Sequence, residues 1–298
     1  MKLGIDLGGS KIEILAIDQQ GKECYRQRVS TPREDYSAIL NCIKDLVIQA
    51  ERHLSATVSV GIGTPGSLSP HSGLLRGSNT TCLNKKPLKQ DLEYLLGREV
   101  RISNDANCFA LSEGLDGAAR DAGIVFAVII GTGCGAGIVI NKQLVNGPNR
   151  ISGEWGHNPL PWPEQNELTG TTCWCGQHGC IETFLSGPAM ERDYQSTTAE
   201  VKTAKEIVTL AEQGDESSQR VISRYELRMA KSLAHIINIL DPHTIVLGGG
   251  MSNVQRLYDN VPRLWENFIF SDEVNTRLVP PVHGDASGVR GAAWLWNS

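Results

Sequence analysis

The chain has 298 residues, 40% hydrophobic and 20% charged, too apolar for disorder and long enough to bury its own core in about two domains. A net charge of -5 and a pI near 5.8 argue against a non-specific nucleic-acid binder and leave no basic face for an anionic membrane. No apolar run approaches the ~20 residues of a membrane span, and Asp6 comes too early for a secretory signal, so the expectation is a soluble, cytoplasmic protein.

The first thirty residues read as three strands: Lys2 to Leu7, a Gly8-Gly9 turn, Ile12 to Ile17, a turn at Gln20-Gly21, then Glu23 to Val29. Pro32 and Asp35 open a helix with apolar positions at Ile39, Cys42, Ile43, Leu46, Val47 and Ala50, the spacing of a one-sided helix. Val58 to Ile62 is a short buried strand that ends in Gly63-Thr64-Pro65-Gly66. Val100 to Ser103 is another, ending in Asn104-Asp105, with a helix to about Ala119. The pattern then restarts. Ile124 to Ile130 is an apolar run, Gly131 to Gly135 a glycine-rich turn, and Ala136 to Ile140 a second strand. Later come a helix from about Ser217 to Leu240, a strand from Thr244 to Leu247, the triplet Gly248-Gly249-Gly250 and a helix from Asn253. A helix-like end spans Gly288 to Trp296. Because the strand–turn–strand opening occurs twice, the chain reads as two similarly built α/β lobes with a cleft between them. The expected division is 1–118, with 287–298 packing back on it, and 119–286.

Asp6-Leu7-Gly8-Gly9-Ser10-Lys11 follows a strand. Glycines there let backbone N–H groups approach a phosphate, and a strand-end carboxylate suits hydrated Mg²⁺. A plain hairpin turn explains the same residues. Gly131-Thr132-Gly133-Cys134-Gly135 matches the dinucleotide fingerprint formally, but that fingerprint needs a helix to begin inside the glycines. The continuation Gly137-Ile138-Val139-Ile140 is β-prone, so a phosphate-cradling hairpin fits better. Gly248, Gly249 and Gly250 follow a strand and leave backbone bare for an adenine ring or ribose, or simply make a tight turn. Asp105 at a strand end could take a proton from a substrate hydroxyl, and Asn104-Asp105 equally suits a helix cap.

Eight cysteines without a secretory signal are expected to stay reduced. Five are scattered, but Cys173, Cys175 and Cys180 crowd one short stretch, downstream of His157. Three thiolates and an imidazole complete a tetrahedral, closed and therefore structural Zn²⁺ set. Gly176 and Gly179 allow the loop to turn. Glu154 and Glu182 flank these ligands in sequence, so a metal would fix two carboxylates suited to sugar hydroxyls. Either alone would be an ordinary surface acid.

Together these residues resemble the ROK family of bacterial sugar kinases and repressors, on the two-lobed actin/hexokinase-like (ribonuclease H-like) ATPase fold. The markers are Asp6 to Lys11, Asn104-Asp105, Gly131 to Gly135, Gly153-Glu-Trp-Gly-His157, Cys173 to Glu182 and Val246 to Gly250, spanning the whole chain. Ser10 stands where the family more often has Thr. Strand residues from Lys2 leave no place for the repressors' DNA-binding helices, so a kinase is expected. The resemblance implies Asp105 as base toward the sugar's 6-hydroxyl. Asn79, Asn104, Glu154, His157 and Glu182 would bind the hexose, and the glycine loops ATP with Mg²⁺. A homodimer is the family's common state. The strings Gly156 to Trp162 and Val282 to Trp296 look like the fructokinase (manno/fructokinase) branch, which makes fructose the expected substrate, N-acetylglucosamine its rival and glucose or mannose the next. The alternative to a kinase is a sugar sensor without turnover.

Overall fold

The structure, a computed structural model, describes residues 1–32, 34–78 and 80–297. In chain order, β1 (Lys2–Leu7), β2 (Lys11–Ile17) and β3 (Glu23–Ser30) precede α1 (Tyr36–Leu54) and β4 (Ser59–Thr64). Next come β5 (Ser67–Leu68), β6 (Leu75–Arg76), α2 (Leu88–Leu96), β7 (Val100–Asn104) and α3 (Asp105–Leu115). Then follow β8 (Ile124–Ile130), β9 (Cys134–Ile140), β10 (Gln143–Leu144), α4 (Glu182–Leu185), α5 (Gly187–Thr198), α6 (Ala204–Glu212) and α7 (Glu216–Leu240). The chain closes with β11 (Thr244–Gly248), α8 (Arg256–Trp265), β12 (Arg277–Val279) and α9 (Ser287–Trp294).

There are two five-stranded sheets, ordered β3-β2-β1-β4-β7 and β10-β9-β8-β11-β12. In the first, β2 runs antiparallel to β1 and β3, while β4 and β7 continue parallel to β1. In the second, β11 pairs parallel with both β8 and β12. The repeated opening is thus a hairpin whose first strand later gains a parallel partner. The chain forms two compact units, one of residues 1–121, 137–152 and 282–298, the other of residues 122–136 and 153–281.

In the first unit, α1 is capped by Asp35, whose side chain accepts the Ala38 N–H, and buries Ile39, Leu40, Ile43, Leu46, Val47 and Ala50. Cys42, on the predicted stripe, is only half-buried. The residues that place the site are the glycines under α9. A Cβ on Gly4 would lie 1.9 Å from the Val289 carbonyl oxygen, one on Gly61 1.9 Å from that of Ala292, and one on Gly291 1.6 Å from that of Cys108. Only backbone without side chains permits such approach. So α9 lies directly on β1, β4 and α3.

The α3 helix ends at Leu115 rather than near Ala119. Buried Glu113 accepts the Ala118, Val282 and His283 N–H groups and the Ser287 hydroxyl, drawing the chain out of helix. Asp116 then holds α9 through Arg290 Nε at 2.8 Å and Trp294 Nε1 at 3.0 Å. The helix expected at Asn253 begins later, at Arg256, after a 3₁₀ turn over Gly250–Asn253.

Gly291→Ala should cost several kcal/mol in urea unfolding, since backbone must move to admit the methyl. Gly288→Ala, where the nearest atom would be 3.7 Å away, should be neutral or stabilising by up to ~1 kcal/mol. Equal effects would mean that the close approach does not hold α9.

Candidate active site

In the first unit, β1 and β7 end beside each other's functional residues. Asn104, the last residue of β7, is the helix cap: its side chain accepts the Asn107 N–H at 2.8 Å. Asp105, the next residue, is therefore released from capping, and its Oδ1 accepts the adjacent Ala106 N–H at 2.8 Å. Asp105 stays open to solvent, yet protein surrounds its carboxyl. That desolvation raises its pKa, and backbone N–H groups of Ala106 and Asp105 itself oppose the rise. A carboxylate so placed is a stronger base than a free aspartate. Asn104 and Asn107 also line a small polar cavity with Thr64, Ser67, Asn146 and Arg150, and Asn107 Oδ1 is buried without a hydrogen-bond partner among the described residues.

Asp6 sits on β1 opposite Glu13 of β2. Its carboxyl is pushed up to about 6, first by burial and then by the charges of Asp105 and Glu13, against the pull of Lys11 and Arg28. Glu13 was not legible as a site residue. It is buried, and Arg26 Nε at 2.7 Å and Arg28 Nη2 at 2.6 Å hold it. Burial pushes its carboxyl up, but the Arg28 and Arg26 bonds outweigh that and keep it low. The turn carrying Gly8, Gly9 and Ser10 closes with the Gly8 N–H on the Lys11 carbonyl at 3.0 Å, and Thr31 Oγ1 donates to the Gly8 carbonyl at 2.7 Å. Asn79 lies outside the described residues.

In the second unit, His157, Cys173, Cys175 and Cys180 bring one ligand atom each within 4.8 Å of all the others. Cys173 Sγ is 3.6 Å from His157 Nδ1, and Cys175 Sγ is 3.6 Å from Cys180 Sγ. A zinc tetrahedron with bonds of about 2.3 Å to sulfur and 2.0–2.1 Å to nitrogen has edges of about 3.6–3.8 Å, so the residues fit that ion. The loop is shaped for it. Gly176 and Gly179 have φ of 90° and 70°, and the Cys173 N–H bonds the Gln177 carbonyl at 2.8 Å. Leu160 N–H to Gly179 O and Ile181 N–H to Asn158 O then seat His157 beside Cys180. Burial first, then neighbouring thiols, push Cys180 up to about 12, and a dication is what lets such crowded thiols ionise together.

The glycine hairpin joins β8 to β9, and β9 starts at Cys134 inside it. A strand, not a helix, follows these glycines, as their continuation predicts. The Gly153–His157 segment is threaded against this hairpin. Trp155 Nε1 donates to the Gly135 carbonyl at 3.3 Å, and a Cβ on Gly156 would stand 2.1 Å from the Cys134 carbonyl oxygen. Glu154 lies half-buried at the head of that segment. Glu182 begins α4, and its Oε2 accepts the Cys134 N–H at 2.9 Å.

Beside the hairpin lies a cavity of about 790 Å³ lined by Gly131, Thr132, Gly187, Pro188, Val208, Gly250 and Met251 among others, within the size range of a cofactor site. Gly249 and Gly250 are exposed at its rim, while Gly248 is buried in β11. The walls from α5 and α6 were not read from the sequence. Their signal was present: Thr203 and Glu206 form a capping box at α6, the pattern that marks a helix start.

The sequence profile of the ROK family matches residues 2–298. The chain belongs to the ROK family. It is 38% identical over 99% of both chains to the N-acetyl-D-glucosamine kinase of Yersinia enterocolitica. Its fold matches a ROK hexokinase from Thermus thermophilus with a TM-score of 0.88 at 29% identity, covering 99% and 97% of the two chains. It also matches a ROK glucokinase from Streptomyces griseus in complex with glucose and AMPPNP, TM-score 0.77, 26% identical, covering 99% and 98%. The two-lobed hexokinase-like α/β class expected from the motifs therefore stands.

The fructose expectation does not. Further curated relatives at 36–39% identity over nearly the whole chain are also N-acetyl-D-glucosamine kinases. Parts of the strings that suggested fructose are engaged in packing: Val282 to Trp296 holds α9 to Glu113 and Asp116, and the Trp162 carbonyl accepts from Lys231 at 2.7 Å. Among the described residues, no helix is long and apolar enough to cross a membrane.

Asp6→Asn tests the electrostatics of the first unit. A raised folded-state pKa means that stability is fully present below about pH 4 and lost as pH climbs through about 6. The permanently neutral variant, without nucleotide or metal ion, should melt higher than the parent near pH 7.5, with a smaller gain near pH 4.5. A pH-independent gain would mean that Asp6 is not strained by its surroundings.

Proposed function

We propose that this chain is an N-acetyl-D-glucosamine kinase, which transfers the γ-phosphoryl group of ATP to the sugar's 6-hydroxyl. It is an ATP-dependent sugar kinase, a phosphotransferase. The observation that carries the sugar is the match to N-acetyl-D-glucosamine kinases over 99% of both chains. A sensor without turnover is disfavoured, because a non-catalytic binder needs neither a desolvated aspartate just past a cap nor a glycine hairpin beside a nucleotide-sized cavity.

In this reading Asp105 accepts the proton of the 6-hydroxyl as the oxygen attacks phosphorus, and Asn104 orients the sugar. Freed of capping by Asn104, Asp105 can turn its second oxygen to substrate. Glu154, Glu182 and the Nε2 side of His157 accept or donate to the sugar's other hydroxyls, since Nδ1 faces the sulfurs. The Gly131 and Cys134 N–H groups are held by the Gly133 carbonyl and Glu182; the other N–H groups of the Gly131 to Gly135 hairpin hold phosphate oxygens, and the adjoining cavity takes the nucleoside. Gly8, Gly9, Ser10 and Lys11 contribute the second phosphate turn, with Asp6 placed for the hydrated Mg²⁺ that accompanies ATP and neutralises its charge. Zn²⁺ on His157, Cys173, Cys175 and Cys180 would be structural, holding the loop in shape with no open position.

A coupled ADP-release assay with Mg²⁺ and ATP against N-acetylglucosamine, glucose, mannose and fructose should show kcat/KM highest for N-acetylglucosamine, by about tenfold or more. A preference for another hexose would overturn the sugar and keep the phosphoryl transfer. Asp105→Asn should lower kcat by about 10² or more while sugar affinity changes only several-fold. Unchanged turnover would remove Asp105 as the base. The purified protein should carry one zinc per chain, and Cys175→Ser should lose most of it by elemental analysis. A metal-free parent that keeps full sugar affinity would show that the loop is not needed in that form.

A further inference from the structure

We propose that Trp174 and Glu182 link the metal loop to the phosphate hairpin, so that the folded state of the Cys/His loop sets how tightly nucleotide is held. The proposal rests on the hairpin Gly131–Gly135 holding ATP's phosphates. The Glu182 carboxylate is shared between two elements. Its Oε1 accepts the indole N–H of Trp174 at 2.8 Å, and its Oε2 accepts the backbone N–H of Cys134 at 2.9 Å. A Cβ on Gly133 would lie 2.6 Å from the same Oε2, so the carboxylate packs directly on the hairpin's backbone.

A negative charge beside a phosphate loop is a cost unless donors claim it, and two charge-assisted bonds do so here. With the Cys134 N–H turned to Glu182, the hairpin's conformation is pinned from behind. The remaining N–H groups keep the aim they need. Trp174 is the weak point of that arrangement. Its side chain is 73% exposed, so burial does not position it. Its position comes from its neighbours in sequence, the ligands Cys173 and Cys175, and from an edge-on contact with His157 at 4.9 Å. Cys173 Sγ, on the same loop, also lies 4.0 Å from Oε1, so a loop that loses its shape withdraws both the indole and the thiol and lets the carboxylate rotate off Cys134. Each carboxylate oxygen has a second lone pair, so this role leaves Glu182 able to meet a sugar hydroxyl as well.

The test is calorimetric titration of Mg²⁺ADP, and separately of N-acetylglucosamine, into the zinc-loaded parent, the zinc-stripped parent, Trp174→Phe and Glu182→Gln, with zinc quantified in each. Removing one bond to a charged group should raise the nucleotide Kd of Trp174→Phe about three- to tenfold. Sugar affinity, which Glu182 shares with Asn104, Asp105, Glu154 and His157, should fall by a smaller factor than nucleotide affinity, and the KM for ATP should rise. Zinc stripping and Glu182→Gln should weaken nucleotide at least as much. Unchanged nucleotide affinity in Trp174→Phe, with zinc kept or lost, overturns the link. A parent that binds no Mg²⁺ADP at all overturns the hairpin assignment beneath it, an outcome distinct from failure of the link alone.

Discussion

Three positions where side chains are impossible, Gly4, Gly61 and Gly291, let α9 lie with its backbone against β1, β4 and α3. Close packing of this kind leaves no room for water or for alternative placement of the helix. The consequence is electrostatic. Asp6 at the end of β1 lies close enough to Asp105 at the start of α3 for that charge, after burial, to push its carboxyl up. The buried thiol of Cys108 is pushed up by that same burial and by both carboxylates. The unit therefore stores charge repulsion at the position where a cation and a substrate hydroxyl would relieve it.

The second unit solves a different problem, that of fixing irregular chain. Between β10 and α4 the described backbone forms a 3₁₀ turn, two isolated bridges and scattered turn and loop hydrogen bonds, but no extended helix or strand. A metal ion on His157, Cys173, Cys175 and Cys180 would supply the missing constraint, and segments next to these residues reach the glycine hairpin through Trp155, Gly156 and Glu182. Such a loop need not be thick or apolar to be rigid. That explains why Trp174 and Cys175, both exposed, can sit in a structurally critical stretch.

Much of this was legible from residue patterns because the patterns have local causes. Alternation and turn glycines mark the two hairpins. Asp35 ahead of a one-sided apolar stripe marks α1, and the Cys/His spacing needs only a loop of the right length to close. The β-prone residues after Gly135 decided against a dinucleotide site for a purely local reason, and β9 shows why: the strand has already begun at Cys134. The question of the cap at Asn104-Asp105 also had a local answer, since Asn104 takes it through the Asn107 N–H and leaves Asp105 as the candidate base. Less was legible where the cause is distant. Nothing near Glu13 shows that Arg26 and Arg28 will fold over it, and the walls supplied by α5 and α6 come from chain far from the hairpin they face.

The sugar shows the same division most clearly. By itself, the sequence determined the strand–turn–strand repeat, the candidate metal-ligand set, the glycine loops and the candidate base, because each rests on spacing and side-chain chemistry within a short window. Tertiary structure alone decided which distant oxygen atoms are spoken for. It showed that Glu13 is held by Arg26 and Arg28, that Glu182 is held by an indole and a backbone N–H, and that the C-terminal string belongs to the α9 packing. Hydrogen bonds and burial are made between residues far apart in the chain. A motif can name the donors and acceptors, but only the fold determines how they are paired.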